Sequence, residues 1–356
     1  MTKVLVVATG RKTRGGITSV IKAHETGAQW KRYNCVWIQT HRDSNDIVKL
    51  WYFGTAILEY LLLLPFCNIV HFHFSEDSTA KRKRMLMAVA KVFGKKIISH
   101  FHSYSLDSTI RSPYRHLYEY LFKNSNIVIV LSQYWKNALV EELCLDEAKV
   151  KILYNPCPQV ETGLKVDNGK VVTKEFTKEI LYAGTVCHRK GYDDMIKAFA
   201  KVAPQHRDWK IVFAGNGEIE EGKALATEFD IVDQTVFLGW VSGKDKDAAF
   251  RHATVFCLPS YAEGFPMGVL DAWAYSLPVI TTPVGGIPDI AIDGKNMLLF
   301  NPGDIDALAV QMEKIIRNDD LRRSIAAEST LLAHTIFDVQ TINRQLGEIY
   351  EDLLNK

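Results

Sequence analysis

Very little in this chain is extreme, and what it lacks narrows the field first. Its six cysteines among 356 residues, Cys35, Cys67, Cys144, Cys157, Cys187 and Cys257, form no CxxC pair, and several sit inside apolar runs. That scatter argues against a disulfide framework or a thiolate zinc site and for a reducing compartment, the cytoplasm. The net charge of +2 is too small to attract nucleic acid by itself. With Met1-Thr2-Lys3 running straight into an apolar strand, no secretory leader is expected. The longest apolar stretch, Leu50 to Cys67, carries Glu59 in its middle and Pro65 near its end, and it is short for a bilayer span. It is expected to be a buried helix feeding the next strand. A short-period repeat and a low-complexity tract are missing, and the glycine spacing after the first strand is not GxGxxG, so a nicotinamide-binding reading is disfavoured.

What remains is a chain of 47% hydrophobic and 24% charged residues, the mixture of a soluble globular protein. Its length allows two domains with ample cores. Strands are expected at Val4–Ala8, Cys35–Gln39, Ile69–Phe74, Lys96–His100, Ile127–Leu131 and Val150–Tyr154. Helices are expected near 17–29, 46–64, 79–93, 112–123 and 133–143. From 155 to 178 the periodicity fades and Pro156, Pro158, Gly163, Asn168 and Gly169 accumulate, which marks a domain boundary. The alternation then resumes, with strands at 180–183, 210–214, 235–238, 254–258, 278–281 and 297–300. Helices between and after them fall near 191–203, 217–229, 244–252, 266–276, 286–292, 304–317 and 319–332. This pattern specifies α/β architecture with parallel sheets covered on both faces. The domains expected are 1–165 and 170–336, with a last helix, 337–356, packing back on the first.

Four strand-end stretches concentrate residues suited to chemistry. Residues 258–288, LPSYAEGFPMGVLDAWAYSLPVITTPVGGIP, run strand, acidic turn, helix, strand, glycine loop. The turn Glu263-Gly264-Phe265-Pro266 leads into a helix start at Met267-Gly268, whose backbone amides suit a phosphate or a sugar hydroxyl. Glu263 and Asp271, eight apart, reach one ligand from either side of that start, a pairing that suits a sugar nucleotide. The loop after strand one, Thr9 to Gly16, joins Arg11, Lys12 and Arg14 to the pair Gly15-Gly16. A third loop, Gly184-Thr185-Val186-Cys187-His188-Arg189-Lys190-Gly191, brings cations to another helix start. Fourth are two His-x-His pairs, His71-Phe72-His73 and His100-Phe101-His102. No acid or cysteine is placed to complete a metal site with them. Asp245-x-Asp247 and Asp304-x-Asp306 have DxD spacing but begin helices and are read as caps. Gly285-Gly286-Ile287-Pro288-Asp289 is read as an anion nest at a helix start.

Lys81-Arg82-Lys83-Arg84, on a helix that continues with apolar residues, form a basic face suited to anionic headgroups. No aromatic platform or binding module interleaves with that run, so nucleic acid is not expected as a partner.

These motifs together resemble the retaining GT-B glycosyltransferases of family 4, whose signature is Glu-x7-Glu in an EGFG-like context. The likeness covers nearly the whole chain and is most specific over 180–303. It implies a GT-B architecture, two Rossmann-like domains facing a cleft, and transfer of a sugar from a nucleoside diphosphate to an acceptor hydroxyl. By the resemblance Lys190 takes the lysine's place in the family's EKG motif and binds the diphosphate, with Arg189 and Thr185 beside it. Thr185 stands where the family more often has arginine, and Asp271 where it has glutamate. Gly15 and Gly16 would face the diphosphate; Gly264, Phe265, Pro266, Met267 and Gly268 would hold it through amides; Asn216 and Val241 would border the base. Glu263 would orient the sugar and His102 would shape the acceptor pocket. No metal or other cofactor is implied. The expected partners are the nucleotide sugar, a glycan or lipid-linked acceptor in bacterial surface-polysaccharide synthesis, and the cytosolic membrane face. A sugar-nucleotide epimerase of the same fold and a catalytically silent sugar-nucleotide-binding subunit are the alternatives.

Overall fold

A computed structural model describes residues 3–42, 44–160, 166–167, 170–171 and 177–355. The part of the expected boundary that includes Gly163, Asn168 and Gly169 lies outside the described residues. The chain divides into two compact units. One comprises Met1–Pro156, Glu263–Phe265 and Val339–Lys356; the other comprises Cys157–Ala262 and Pro266–Asp338.

The first unit is built on six parallel strands: β1 Val4–Ala8, β2 Val36–Gln39, β3 Ile69–Phe74, β4 Lys96–Phe101, β5 Ile127–Val130 and β6 Val150–Ile152. Their order is β2-β1-β3-β4-β5-β6. The sheet is covered on both faces, so β1 and β3 are buried at every position, the two histidines of β3 included. Alternation then sorts each strand between two cores. Leu5, Val7, Val70, Phe72 and Phe74 join the cluster that contains Tyr60, Met87 and Phe122. Val4, Val6, Ala8, Ile69 and Ile98 join the other, with Ile342, Leu346 and Tyr350 of the last helix, Val339–Asn355. His71, His73 and His100 share the strand parity of this second group.

The second unit repeats the plan with β9 Glu179–Ala183, β10 Lys210–Ala214, β11 Thr235–Gly239, β12 Val255–Leu258, β13 Val279–Thr281 and β14 Leu298–Leu299. The order is β11-β10-β9-β12-β13-β14, again parallel throughout. Two residues each in β7 Val166–Asp167 and β8 Lys170–Val171 form a small antiparallel ribbon, which periodicity does not announce. The strand order reverses at β9–β12, and in open parallel sheets ligands bind beyond the strand ends at such a switch point.

Four expectations need correction. The expected helix 17–29 is two helices, Gly16–Glu25 and Ala28–Arg32. Gly27 breaks it, where a Cβ would stand 2.5 Å from Asn343 Cγ. The expected helix 286–292 is a single 3-10 turn, Ile287–Asp289, which ends where Ile290, at φ −134°, leaves the helical region. Gly285, at φ +61°, and Gly286, in the right-handed region, still lead into that turn. Asp304 caps its helix through the Ala307 amide, but Asp245 lies inside the first turn of a helix whose N-cap is Ser242. Asp247 instead accepts hydrogen bonds from Arg251 and Tyr275. Finally, the helix Asp46–Leu63 buries only Ala56 and Tyr60, so it is not the buried helix expected.

Candidate functional site

In the second unit, two loops at the ends of β9 and β12 are locked together. After β9 the chain passes Gly184 and Thr185 to a 3-10 turn, His188–Lys190, and Gly191 opens the helix Tyr192–Val202. Gly191 sits at φ +70°, and a Cβ there would lie 2.1 Å from the Pro259 carbonyl oxygen. Both the dihedral and the close approach require glycine. The Tyr261 amide donates to the Arg189 carbonyl at 2.8 Å, and Arg189 Nη1 donates to the Ala262 carbonyl at 2.6 Å. Tyr261 OH donates to Asp194 Oδ2 at 2.8 Å. Asp194 is buried, and burial raises its carboxyl pKa against the lowering effect of that hydrogen bond.

Lys190 folds back over the end of β9: a Cβ on Gly184 would stand 3.3 Å from Lys190 Cδ and 3.5 Å from its Nζ. The loop after β10 closes on the same spot. A Cβ on Gly215 would fall 1.7 Å from the Gly184 carbonyl oxygen, and the Val186 amide donates to the Asn216 carbonyl at 2.8 Å. At Gly268 a Cβ would stand 3.0 Å from the Ala183 carbonyl oxygen. Its helix, Met267–Ala274, begins at the N-cap Pro266 with no side-chain cap and no acid in the first turn. Its first amides therefore lie beside the end of β9, with no side chain capping them. Thr185, Arg189, Lys190, Asn216, Met267 and Gly268 are thus gathered at one end of the central strands. Cations and amide hydrogens converging there suit an anion.

Two expected site residues sit differently. Asp271 is ion-paired with Lys246 at 2.7 Å. Burial raises its pKa, while Lys246 pulls it down. Lys246 comes from the helix Gly243–His252 and is a partner the sequence reading missed. Val241 is half-buried, two residues beyond Gly239 at the end of the edge strand β11. Tyr261 and Asp194 were also missed. Asp194 carried a signal, because it precedes Ala198 by one turn on the buried side of an amphipathic helix, where an acid needs a partner.

In the first unit the loop after β1 leads to Gly15, at φ +132°, and to the helix Gly16–Glu25, which again lacks a side-chain cap and a first-turn acid. Arg11 is not available to a ligand there: its guanidinium pairs with the Glu25 carboxylate through both oxygens and stacks on Trp37. The turn Glu263–Phe265 belongs to this unit. A Cβ on Gly264 would stand 2.7 Å from the Ser103 carbonyl oxygen, the Phe265 carbonyl accepts from Asn155 Nδ2 at 3.4 Å, and Glu263 is buried.

His102 Nε2 lies 3.0 Å from His73 Nδ1, and its ring stacks on His100 at 4.2 Å. His71 reaches Tyr350 OH at 2.8 Å and His24 reaches Asn343 Oδ1 at 2.8 Å. Burial lowers His24 to about 4 and His102 to about 3, and holds His71, His73 and His100 well below the ordinary imidazole range. The cluster is therefore neutral at neutral pH. Ring nitrogens of His71, His73 and His100, one from each, lie within 4.8 Å of one another, a buried grouping that could hold a metal ion.

The basic face expected from Lys81-Arg82-Lys83-Arg84 is only half present. Lys83 is buried and donates to Thr40, and Arg82 is largely buried too, its pKa lowered by that burial. Lys81 pairs with Asp77 at 2.9 Å, and Arg84 lies over the Tyr120 ring.

Two six-stranded parallel sheets, each doubly wound, define the GT-B class of α/β proteins. HepE from Anabaena, solved with UDP and glucose, superposes with a TM-score of 0.75 at 17% identity, covering 99% of this chain and 100% of that one. Residues 167–330 match the family model described as glycosyl transferases group 1. Among curated proteins, an uncharacterized glycosyltransferase of Methanocaldococcus jannaschii is 24% identical over 66% of this chain and 63% of its own length. The putative colanic acid biosynthesis glycosyltransferase WcaL of Salmonella typhimurium is 25% identical over 80% of this chain and 70% of its own. The match thus spans just under two thirds of the first relative's length.

Proposed function

We propose that this protein is a glycosyltransferase that moves a sugar, with retention, from a nucleoside-diphosphate sugar to an acceptor hydroxyl. One observation carries the reading. Within residues 167–330, the loop holding Lys190 is bonded to the loop that leads into Glu263, at the ends of the central strands. The glycosyltransferase relatives support the class, and the UDP and glucose bound by HepE support a nucleotide-sugar donor. WcaL supports an acceptor in polysaccharide synthesis, and we take it to be a lipid-linked glycan at the cytosolic membrane face.

In this mechanism the bond between C1 of the sugar and the β-phosphate oxygen breaks, and the acceptor oxygen bonds to C1 from the same face. The acceptor proton leaves to the departing phosphate. Lys190, Arg189 and the first amides of the helix Met267–Ala274 meet the charge growing on that phosphate, a task for preorganised donors. Glu263 accepts hydrogen bonds from the sugar hydroxyls. His102, neutral and held by His73, lines the acceptor side. The cations and amides make a metal unnecessary.

A thermal-shift panel of nucleotide sugars in chelating buffer tests the reading, because a ligand bound only by the folded state raises Tm. One donor is expected to raise Tm in the presence of EDTA and to be consumed when a membrane extract is added. A panel with no shift contradicts the reading. Conversion of the donor to a new nucleotide sugar without acceptor would favour the epimerase.

A further inference from the structure

The helix Asp46–Leu63 and the turn Leu64–Phe66 carry apolar side chains on both faces. The inner face is accounted for: Ala56, Tyr60 and Leu64 enter the core beside Phe72 and Met87, and Tyr60 OH donates to the Leu86 carbonyl at 2.9 Å. The outer face is not. Ile47 is 82% exposed, Leu50 74%, Trp51 69%, Leu58 64%, Leu62 72% and Phe66 72%. At 3.6 residues per turn the five helical members fall within an arc of about 120°. Asp46, Lys49 and Glu59 fall outside it. Exposed apolar side chains are ordinary when scattered, but a continuous arc of this length signals an interaction surface.

The patch does not end with the helix. Lys95 Nζ donates to the carbonyls of Pro65 at 3.0 Å and Cys67 at 2.8 Å, which places a cation beside Phe66. Val92, 86% exposed, and Phe93 lie in the segment just before that lysine. Exposed Arg84 and Lys91, on the helix Asp77–Val92, turn instead to Tyr120 and Asn124.

We infer that this face lies in the headgroup–acyl boundary of an anionic lipid leaflet, with the helix parallel to the membrane plane. The chemistry selects lipid over a second copy of the chain. Two copies meeting through the same patch would bring Lys95 toward its own counterpart, whereas anionic headgroups neutralise it. Trp51 on the arc is the residue type enriched at such boundaries. The geometry selects lying over spanning. The inner face is held in the sheet's core, and β3 starts at Ile69, three residues after Phe66. A helix so tied cannot turn through a bilayer without unfolding the domain, so its apolar arc is buried sideways. The inference deepens the proposed function, on which it rests only for a lipid-linked acceptor.

The test is co-sedimentation of the full chain with phosphatidylcholine vesicles, with and without phosphatidylglycerol. Binding to the anionic vesicles is expected, weakened but not abolished by salt. The variant Leu50→Ser, Leu58→Ser, Leu62→Ser should bind ~10-fold more weakly or worse, since each leucine withdraws its apolar area from the lipid. The positions are exposed, so the Tm of the variant should match wild type. As a measure independent of that variant, the emission difference between wild type and Trp51→Phe should shift to the blue on vesicles. Wild type left in the supernatant, or a triple variant that binds normally, overturns the inference. So does a solution dimer that the triple variant makes monomeric. The nucleotide-sugar Tm shift, measured without vesicles, separates failure of the lipid surface from failure of the transferase reading.

Discussion

His24, His71, His73, His100 and His102 are the residues whose chemistry departs furthest from ordinary values. Each is held neutral by burial, so its folded pKa lies below the unfolded value of about 6.5. Below pH 6.5 the unfolded chain binds protons that the folded chain refuses, and stability is lost as pH falls toward each folded pKa. With a folded value of about 4, His24 alone costs about 2 kcal/mol at pH 5. Urea denaturation at pH 7 and pH 5 should therefore show a loss of at least that size, in a window above most carboxylate titrations. A flat profile would show the cluster to be solvated. The His-x-His spacing was legible and placed each pair on one face. The partners Asn343 and Tyr350 were not, because they come from a helix some 250 residues or more further on.

That helix, Val339–Asn355, shows what an element contributes beyond its own hydrogen bonds. Its buried stripe, Ile342, Leu346, Tyr350 and Leu353, closes one of the two cores of the first unit. Leu346→Ala should cost about 2–5 kcal/mol, the range for a buried leucine truncated in a packed core, read as a lower denaturation midpoint. A cost near zero would mean that the helix is not docked in solution. Most elements were legible because strands buried on both faces and amphipathic helices leave different periods. The helix Asp46–Leu63 was located correctly and its burial was not. Periodicity marks a face that differs from its opposite, and here both faces are apolar. The basic helix Asp77–Val92 misled in the opposite way, since Lys83 is swallowed whole and only the fold reveals which side of it faces the core.

Across the whole molecule, parallel sheets covered on both faces followed from the alternation of strands and helices, but the strand order and the contacts that build the site did not. Gly191 meets Pro259 across 68 positions of sequence, and no local pattern reports that approach. Asp271 was legible as an acid at family spacing, yet its tie to Lys246 depends on where another helix lands. The central claim is a division of labour, with Lys190 holding the diphosphate and Glu263 the sugar. Calorimetric binding of the nucleoside diphosphate of the preferred donor tests it most directly. Loss of a charge-assisted hydrogen bond, worth ~1.5–3 kcal/mol, predicts that Lys190→Ala weakens that binding by about 10- to 150-fold. Glu263→Ala should leave the diphosphate affinity near wild type while abolishing transfer. Undiminished affinity in Lys190→Ala, or normal transfer by Glu263→Ala, would contradict the account.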